Sequence, residues 1–91
     1  MNFTASEFGA INFSIVTTPE MKERTFPISE LGTAISIADK LKVNVDAEGK
    51  NFVDGDVDFS TEEKSIILKL LDREFSIEQG KSVLSLKTKL A

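Results

Sequence analysis

One segment of the chain, residues 60–74, combines a helix start signal with an apolar face and so constrains the rest of the fold. Ser60 and Glu63 have the spacing of a capping box, in which each side chain bonds a backbone N–H of the first turn. An apolar stripe follows at helical spacing and consists of Ile66, Ile67, Leu70 and Leu71, extended by Phe75. Burying each aliphatic side chain is worth about 1.5–3 kcal/mol before conformational entropy is subtracted. The remaining residues must therefore supply a surface that covers this stripe.

The first part of the chain predicts a β-hairpin. Ile11, Phe13 and Ile15 alternate with polar residues, as is typical of a half-buried strand, and a Pro-containing turn signal follows them. We therefore expect a hairpin over residues 10–27, preceded by a loosely attached lead-in at residues 1–9.

The next segments predict a helix, a second hairpin and a tail of ambiguous structure. Ser29 is a candidate N-cap. The apolar face that follows it at helical spacing consists of Leu31, Ala34, Ile35, Ala38 and Leu41. Alternating residues predict a hairpin over 43–59. The tail, 76–91, fits either a strand or a helix, and we favour the helix because Ser76 and Gln79 match a capping box.

Together these elements predict one small α+β domain over residues 10–91, with an antiparallel sheet packed on helices. The expected order is hairpin, helix, hairpin, helix, helix. No internal repeat or linker is evident. A secreted domain of 91 residues usually needs disulfides, so the lack of Cys favours the cytoplasm. The sequence also shows neither a signal-peptide pattern nor an apolar run that could span a membrane.

The composition gives little support for catalysis. The chain has no His and no Cys, so the usual general base at neutral pH and the usual nucleophile pairs are missing. The run Gly80-Lys81-Ser82 resembles the end of a phosphate-binding loop, but Phe75 stands where that loop needs its first Gly. We therefore expect a protein that is not an enzyme and that uses no cofactor.

A row of carboxylates is the clearest candidate binding surface. Asp54, Asp56 and Asp58 alternate along an extended segment, so their side chains point the same way about 6.7 Å apart. Glu62 and Glu63 continue the row, and no basic residue interrupts it. The spacing lacks the Gly and the final Glu of a calcium loop, so we expect no metal site. The row predicts binding to a protein with a basic surface, or else an edge that only prevents strand aggregation.

Nucleic-acid binding is the alternative, although the net charge of −4 disfavours it. The two expected C-terminal helices would form a helix-turn-helix-like pair, with Lys81, Lys87 and Lys89 facing DNA. We expect instead that these helices close the core.

The leading hypothesis is a small acidic module for protein interaction or regulation, with no membrane contact. Its size and composition fit an accessory protein of a phage or mobile element, which would bind and block a protein in the host cytoplasm. A virion or assembly component and a homodimer are the remaining alternatives.

Overall fold

The structure, a computed structural model, describes all 91 residues and contains four helices and a two-stranded antiparallel sheet. The helices are α1 (Ala5–Val16), α2 (Ile28–Leu41), α3 (Thr61–Leu70) and α4 (Ile77–Leu90). The strands are β1 (Asn2–Phe3) and β2 (Gly55–Asp56), paired with Asn2 opposite Asp56 and Phe3 opposite Gly55. The fold is therefore α+β, but helices carry nearly all of its regular structure.

The hairpin predicted over 10–27 is wrong, apart from one isolated bridge between Thr17 and Glu23, because α1 runs through its first half. Thr4 and Glu7 form a capping box: Thr4 Oγ1 accepts from the Glu7 N–H at 3.2 Å, and Glu7 Oε1 accepts from the Thr4 N–H at 2.8 Å. Ile11 and Ile15 then lie one turn apart on the buried face. Their spacing fits a strand and a helix equally well, and the cap favours the helix. Residues 1–9 hold β1 and the start of α1 and belong to the folded unit.

The hairpin predicted over 43–59 is also wrong, apart from one isolated bridge between Val45 and Phe52. Strand β2 pairs with β1, from the start of the chain, and not with the preceding segment. Gly55 lies against the side chain of Asn44, where a Cβ would overlap it.

The other three predicted helices are present, including the helical form of the tail, but α3 ends at Leu70 and not at the predicted residue 74. Helix α3 begins with the predicted capping box, and its apolar stripe is buried except for Ile66, which is half-buried. Helix α2 begins after Pro27 and not after Ser29. It also buries Ile37 in place of Ile35, so its inner face is rotated from the predicted one.

The core is one cluster of 14 buried apolar residues contributed by all four helices and by the segment around β2. The Phe3 ring lies between those of Phe8 and Phe59, at centroid distances of 5.6 and 5.7 Å. These three rings join the start of α1 to the start of α3.

The fold is built from two similar units. This internal repeat is not evident until the structure aligns the two halves. Each unit opens with a Phe, an N-cap and a Glu: FTASE at residues 3–7 and FSTEE at residues 59–63. Each ends with a second helix of 14 residues that carries a related motif: ISIADKL at 35–41 and LSLKTKL at 84–90. The connecting segments differ in length, so the repeat has no fixed period.

Two equivalent buried ion pairs join the units. Lys40 Nζ in α2 lies 2.5 Å from Glu63 in α3, and Lys89 Nζ in α4 lies 2.6 Å from Glu7 in α1. Only 3% of Glu63 and 2% of Glu7 are exposed. Because each unit gives its Glu to the other unit's Lys, the contact has the reciprocal form of a twofold dimer interface.

The surroundings of the two pairs repeat as well. Each Lys lies over the Phe that precedes the opposite capping box and donates to the carbonyl just before that Phe. Lys40 does so with Phe59 and Asp58, at 5.9 and 2.9 Å, and Lys89 with Phe3 and Asn2, at 5.5 and 3.1 Å. Met1 and Val57, two residues before each Phe, exchange backbone hydrogen bonds with each other. An approximate twofold axis therefore passes between β1 and β2.

Both buried glutamates are stabilised as carboxylates. Burial alone raises the pKa of Glu63, but hydrogen bonds from Lys40, the Ser60 N–H and Ser36 outweigh burial and lower the pKa to about 2. The pKa of Glu7 is likewise lowered: burial raises it, and Lys89, the Thr4 N–H and the nearby Ser85 lower it more. The second oxygen of Glu7 has no well-formed hydrogen bond, so this site is the less complete of the two.

Replacing Lys40 with Met leaves the Glu63 carboxylate buried without its cation. We expect Lys40→Met to lower the free energy of unfolding by about 2 kcal/mol, less than for a fully buried pair because Lys40 is partly exposed. The control Lys42→Met removes an exposed charge just beyond the end of α2. It should change the free energy of unfolding by less than about 0.5 kcal/mol. Urea unfolding followed by circular dichroism measures both. Equal effects of the two substitutions would contradict the role of the buried pair.

The low pKa of Glu63 also predicts a pH dependence of stability. The folded pKa of about 2 lies below the usual 4.5, so the carboxylate contributes fully at pH values above the unfolded pKa. This contribution is lost as the pH falls from about 5 to about 2. Urea unfolding across this range should give a shallower decline for Glu63→Gln than for the natural chain. Parallel profiles would show that Glu63 is not a source of the decline.

Candidate protein-binding groove

The predicted acidic row lies on the surface, but its aspartates have partners within the chain. Asp54 accepts a hydrogen bond from the Ala5 N–H at 2.8 Å and so binds the start of α1. Asp56 and Asp58 lie 2.5 and 3.0 Å from the amino group of Met1. The hydrogen bond from this amino group lowers the pKa of Asp58. The side chains alternate outward as predicted, yet their charge is partly neutralised.

The two glutamates of the row are separated by burial. Glu62 is exposed and forms no salt bridge, whereas Glu63 is buried against Lys40. Glu63 therefore cannot contact a partner, and the surface row contains four carboxylates in place of the predicted five.

The lysines of the DNA-binding alternative do not act together. Lys89 is half-buried and paired with Glu7, while Lys81 and Lys87 are exposed and form no salt bridge. Helix α4, the expected recognition helix, packs against α1. Two exposed lysines remain for this alternative.

A more distinctive feature lies between α1, α4 and the turn that connects α3 to α4. Two adjacent depressions there, with volumes of about 420 and about 470 Å³, share Phe13, Phe75 and Gln79 as lining residues. We call the two together the α1–α4 groove. Its other lining residues are Ser6, Gly9, Ala10, Glu78 and Ser82 at one end, and Pro19, Met21, Asp72, Arg73 and Glu74 at the other.

Phe13 is the aromatic wall of the groove. Its ring faces away from the core, and 37% of the residue is exposed. The Arg73 guanidinium lies 4.8 Å from the ring centroid, a distance that suits a cation–π contact. Arg73 also donates to the carbonyls of Thr17 and Thr18, at 2.8 and 3.1 Å. These bonds satisfy carbonyls at the end of α1 and fix the position of the wall.

Gly9 forms part of the floor of the groove. It lies inside α1, where Gly costs about 0.5–1 kcal/mol relative to Ala. A Cβ at this position would meet nothing within 4 Å, so packing within the chain does not require Gly. Ala10, the next residue, is also small. The space above both residues is open to an approaching backbone or side chain.

Met21 lies at the rim in an unusual conformation. Its φ is 64°, in the left-handed region that non-Gly residues seldom adopt, and 68% of the residue is exposed. Hydrogen bonds of 2.8 and 2.9 Å that link Thr18 to Lys22 and to Met21 hold this tight loop. Such strain, of about 1–3 kcal/mol, is common in residues that serve binding. A flexible Met side chain also adapts readily to a partner.

The rim of the groove is acidic. Asp72, Glu74 and Glu78 are exposed, and none of them forms a salt bridge. The one basic lining residue, Arg73, is bonded to the end of α1. The groove therefore combines apolar walls with negative charge that has no counterion within the chain.

No protein-family model, curated protein or solved structure matches this chain. No helix in the structure is both long and apolar enough to cross a membrane. The sequence does not reveal the groove, because the alternation around Phe13 predicts a strand. The available signals were a Gly inside a capped helix at Gly9 and three acids around Arg73.

The open space above Gly9 predicts a stabilising substitution. Gly9→Ala should raise the free energy of unfolding by about 0.5–1 kcal/mol, because Ala favours the helix and its Cβ meets no atom. Gly55→Ala is the matched control. It should lower the free energy of unfolding, because the new Cβ overlaps the Asn44 side chain. Urea unfolding of both variants checks this. A loss of stability in Gly9→Ala would show that the groove floor is closed in solution.

Proposed function

We propose that this protein is a non-enzymatic protein-interaction module that binds an amphipathic, basic helix of a partner protein in the α1–α4 groove. The observation that carries this proposal is the combination of an aromatic wall, a floor of small residues and a rim of three carboxylates without cations. Each of these features matches a different part of such a helix.

The shape of the groove favours a helical segment over a compact ligand. Its two parts lie side by side along Phe13 and Phe75, so together they are longer than either part alone. Amphipathic helices bind proteins by laying their apolar face into grooves of this kind. Small side chains at Ser6, Gly9 and Ala10 allow the backbone of such a helix to come close to α1.

The exposed apolar groups supply the expected binding energy. Phe13 and Met21 are large side chains that the chain leaves partly in water. Covering an apolar surface is worth about 25 cal/mol per Å². Aromatic residues in well-packed pockets are frequent centres of binding energy, and we expect Phe13 to be this centre.

The charge of the rim selects a basic partner. Asp72, Glu74 and Glu78 would each gain a counterion from Lys or Arg side chains flanking the apolar face of the bound helix. The net charge of −4 adds a weaker attraction at longer range, which salt screens.

A peptide-display selection against the immobilised full chain tests the proposal. We expect it to enrich basic amphipathic peptides whose affinity falls at least tenfold for Gly9→Trp, because the indole would fill the groove. Gly32→Trp is the matched control, since Gly32 is also a helical Gly with nothing within 4 Å of its Cβ, but it lies in α2 outside the groove. Gly32→Trp should leave the affinity for the peptides unchanged. The affinity of the natural chain for them should weaken as the salt concentration is raised.

Two results would overturn the proposal. One is a selection that yields no peptide sensitive to Gly9→Trp. The other is enrichment of acidic peptides. Circular dichroism of the two variants ensures that only folded proteins are compared.

A further inference from the structure

The α1–α4 groove has an equivalent in the other half of the fold. The buried pairs align Glu7 with Glu63 and Lys40 with Lys89, and this register relates the pair α1–α4 to the pair α3–α2. In this register Ala10 corresponds to Ile66, Phe13 to Lys69 and Gln79 to Glu30. The two places can therefore be compared residue by residue.

The equivalent place between α3 and α2 is filled by the chain itself. The Ile66 side chain is half-buried and packs against the core. Lys69 Nζ lies 3.3 Å from Glu30 Oε2 and so connects α3 to α2. Only a shallow depression of about 380 Å³ remains nearby, and no apolar residue lines it. An aliphatic side chain and a paired cation thus close this half.

In the open half both of these groups are missing. Ala10 carries only a methyl group where Ile66 carries a branched four-carbon side chain. Phe13 supplies a ring in place of the Lys69 cation. Gln79 replaces Glu30, and the neighbouring Glu78 has no salt bridge. The groove therefore lacks an aliphatic group over its floor, and its one lining cation, Arg73, is bonded to the end of α1 and forms no salt bridge with the rim carboxylates.

We infer that the helix bound in the α1–α4 groove supplies both missing groups, as an aliphatic side chain and a Lys or Arg one helical turn apart. This inference rests on the proposed function and specifies its partner. The aliphatic group covers Gly9 and Ala10, as Ile66 covers the core in the other half. The cation meets Glu78 at the rim. Residues three positions apart on a helix lie on one face, so the required pattern is aliphatic-x-x-basic.

Two synthetic helical peptides of identical composition test this pattern. The matched peptide carries two copies of Ile-x-x-Lys on one face, and the scrambled peptide places its Ile and Lys on opposite faces. Each is titrated into the isotope-labelled full chain, and the NMR shifts of the Gly9 and Gln79 amides report groove binding. We expect the matched peptide to bind at least tenfold more tightly.

A variant that copies the closed half provides a second measurement. The triple substitution Ala10→Ile, Phe13→Lys and Gln79→Glu should weaken binding of the matched peptide at least tenfold while the protein stays folded. If this variant fails to fold, Ala10→Ile alone is used, and it should weaken binding at least threefold.

The outcomes separate this inference from the proposed function. Peptides that lose affinity in Gly9→Trp but show no preference for the Ile-x-x-Lys pattern would overturn the inference and leave the proposed function intact. A groove that neither synthetic nor selected peptides enter would overturn both.

Discussion

The reciprocal contact between Glu7 and Lys89 and between Glu63 and Lys40 is the constraint on which the rest of the structure depends. Each glutamate starts a helix through its capping box and, with the same carboxylate, binds the last turn of a helix from the other unit. Local structure and the packing of the two units are therefore decided by the same atoms. Removing either lysine leaves a buried carboxylate without its cation, and the partial exposure of the lysine side chains limits the cost. Since neither unit has a complete environment alone, we expect the two to fold as one cooperative system.

The same framework explains why one groove is open and the other closed. Both halves keep the capping box, the half-buried Lys and the Phe beneath it, so neither half needs its outer residues in order to fold. In the α2–α3 half the outer positions carry Ile66 and a Lys69–Glu30 pair. In the α1–α4 half they carry Gly9, Ala10 and Phe13, which stabilise the fold less. A set of residues that costs stability and leaves an aromatic ring in water is more typical of a binding surface than of a packing solution.

The sequence predicted the elements with specific local signals and missed those that depend on distant partners. The capping box at Ser60 placed α3, the N-cap at Ser76 placed α4 although the Gln79 side chain does not complete a box there, and helical spacing placed α2. The alternation around Phe13 suggested a strand, because periodicity over five residues does not separate a strand from a helix when Thr4 and Glu7 are overlooked. Strand β2 could not be placed, because its partner β1 lies more than 50 residues away in the chain. Glu63 was assigned to a surface row because only the fold reveals that Lys40 covers it. The groove lies on the outward side of α1. A sequence pattern interpreted as a strand does not define that side.

One half of the fold has an open groove and the equivalent half is filled, and this difference affects which residues can change in evolution. Two copies of the same Glu–Lys interaction stabilise the fold. The outer surface of one half can therefore vary in sequence while the other half keeps its closed arrangement. Under the proposed function, new specificity would arise on the α1–α4 face, and the Glu–Lys pairs are the part that must stay the same. Substitutions should therefore be tolerated more readily around Gly9 and Phe13 than at Glu7, Lys40, Glu63 and Lys89.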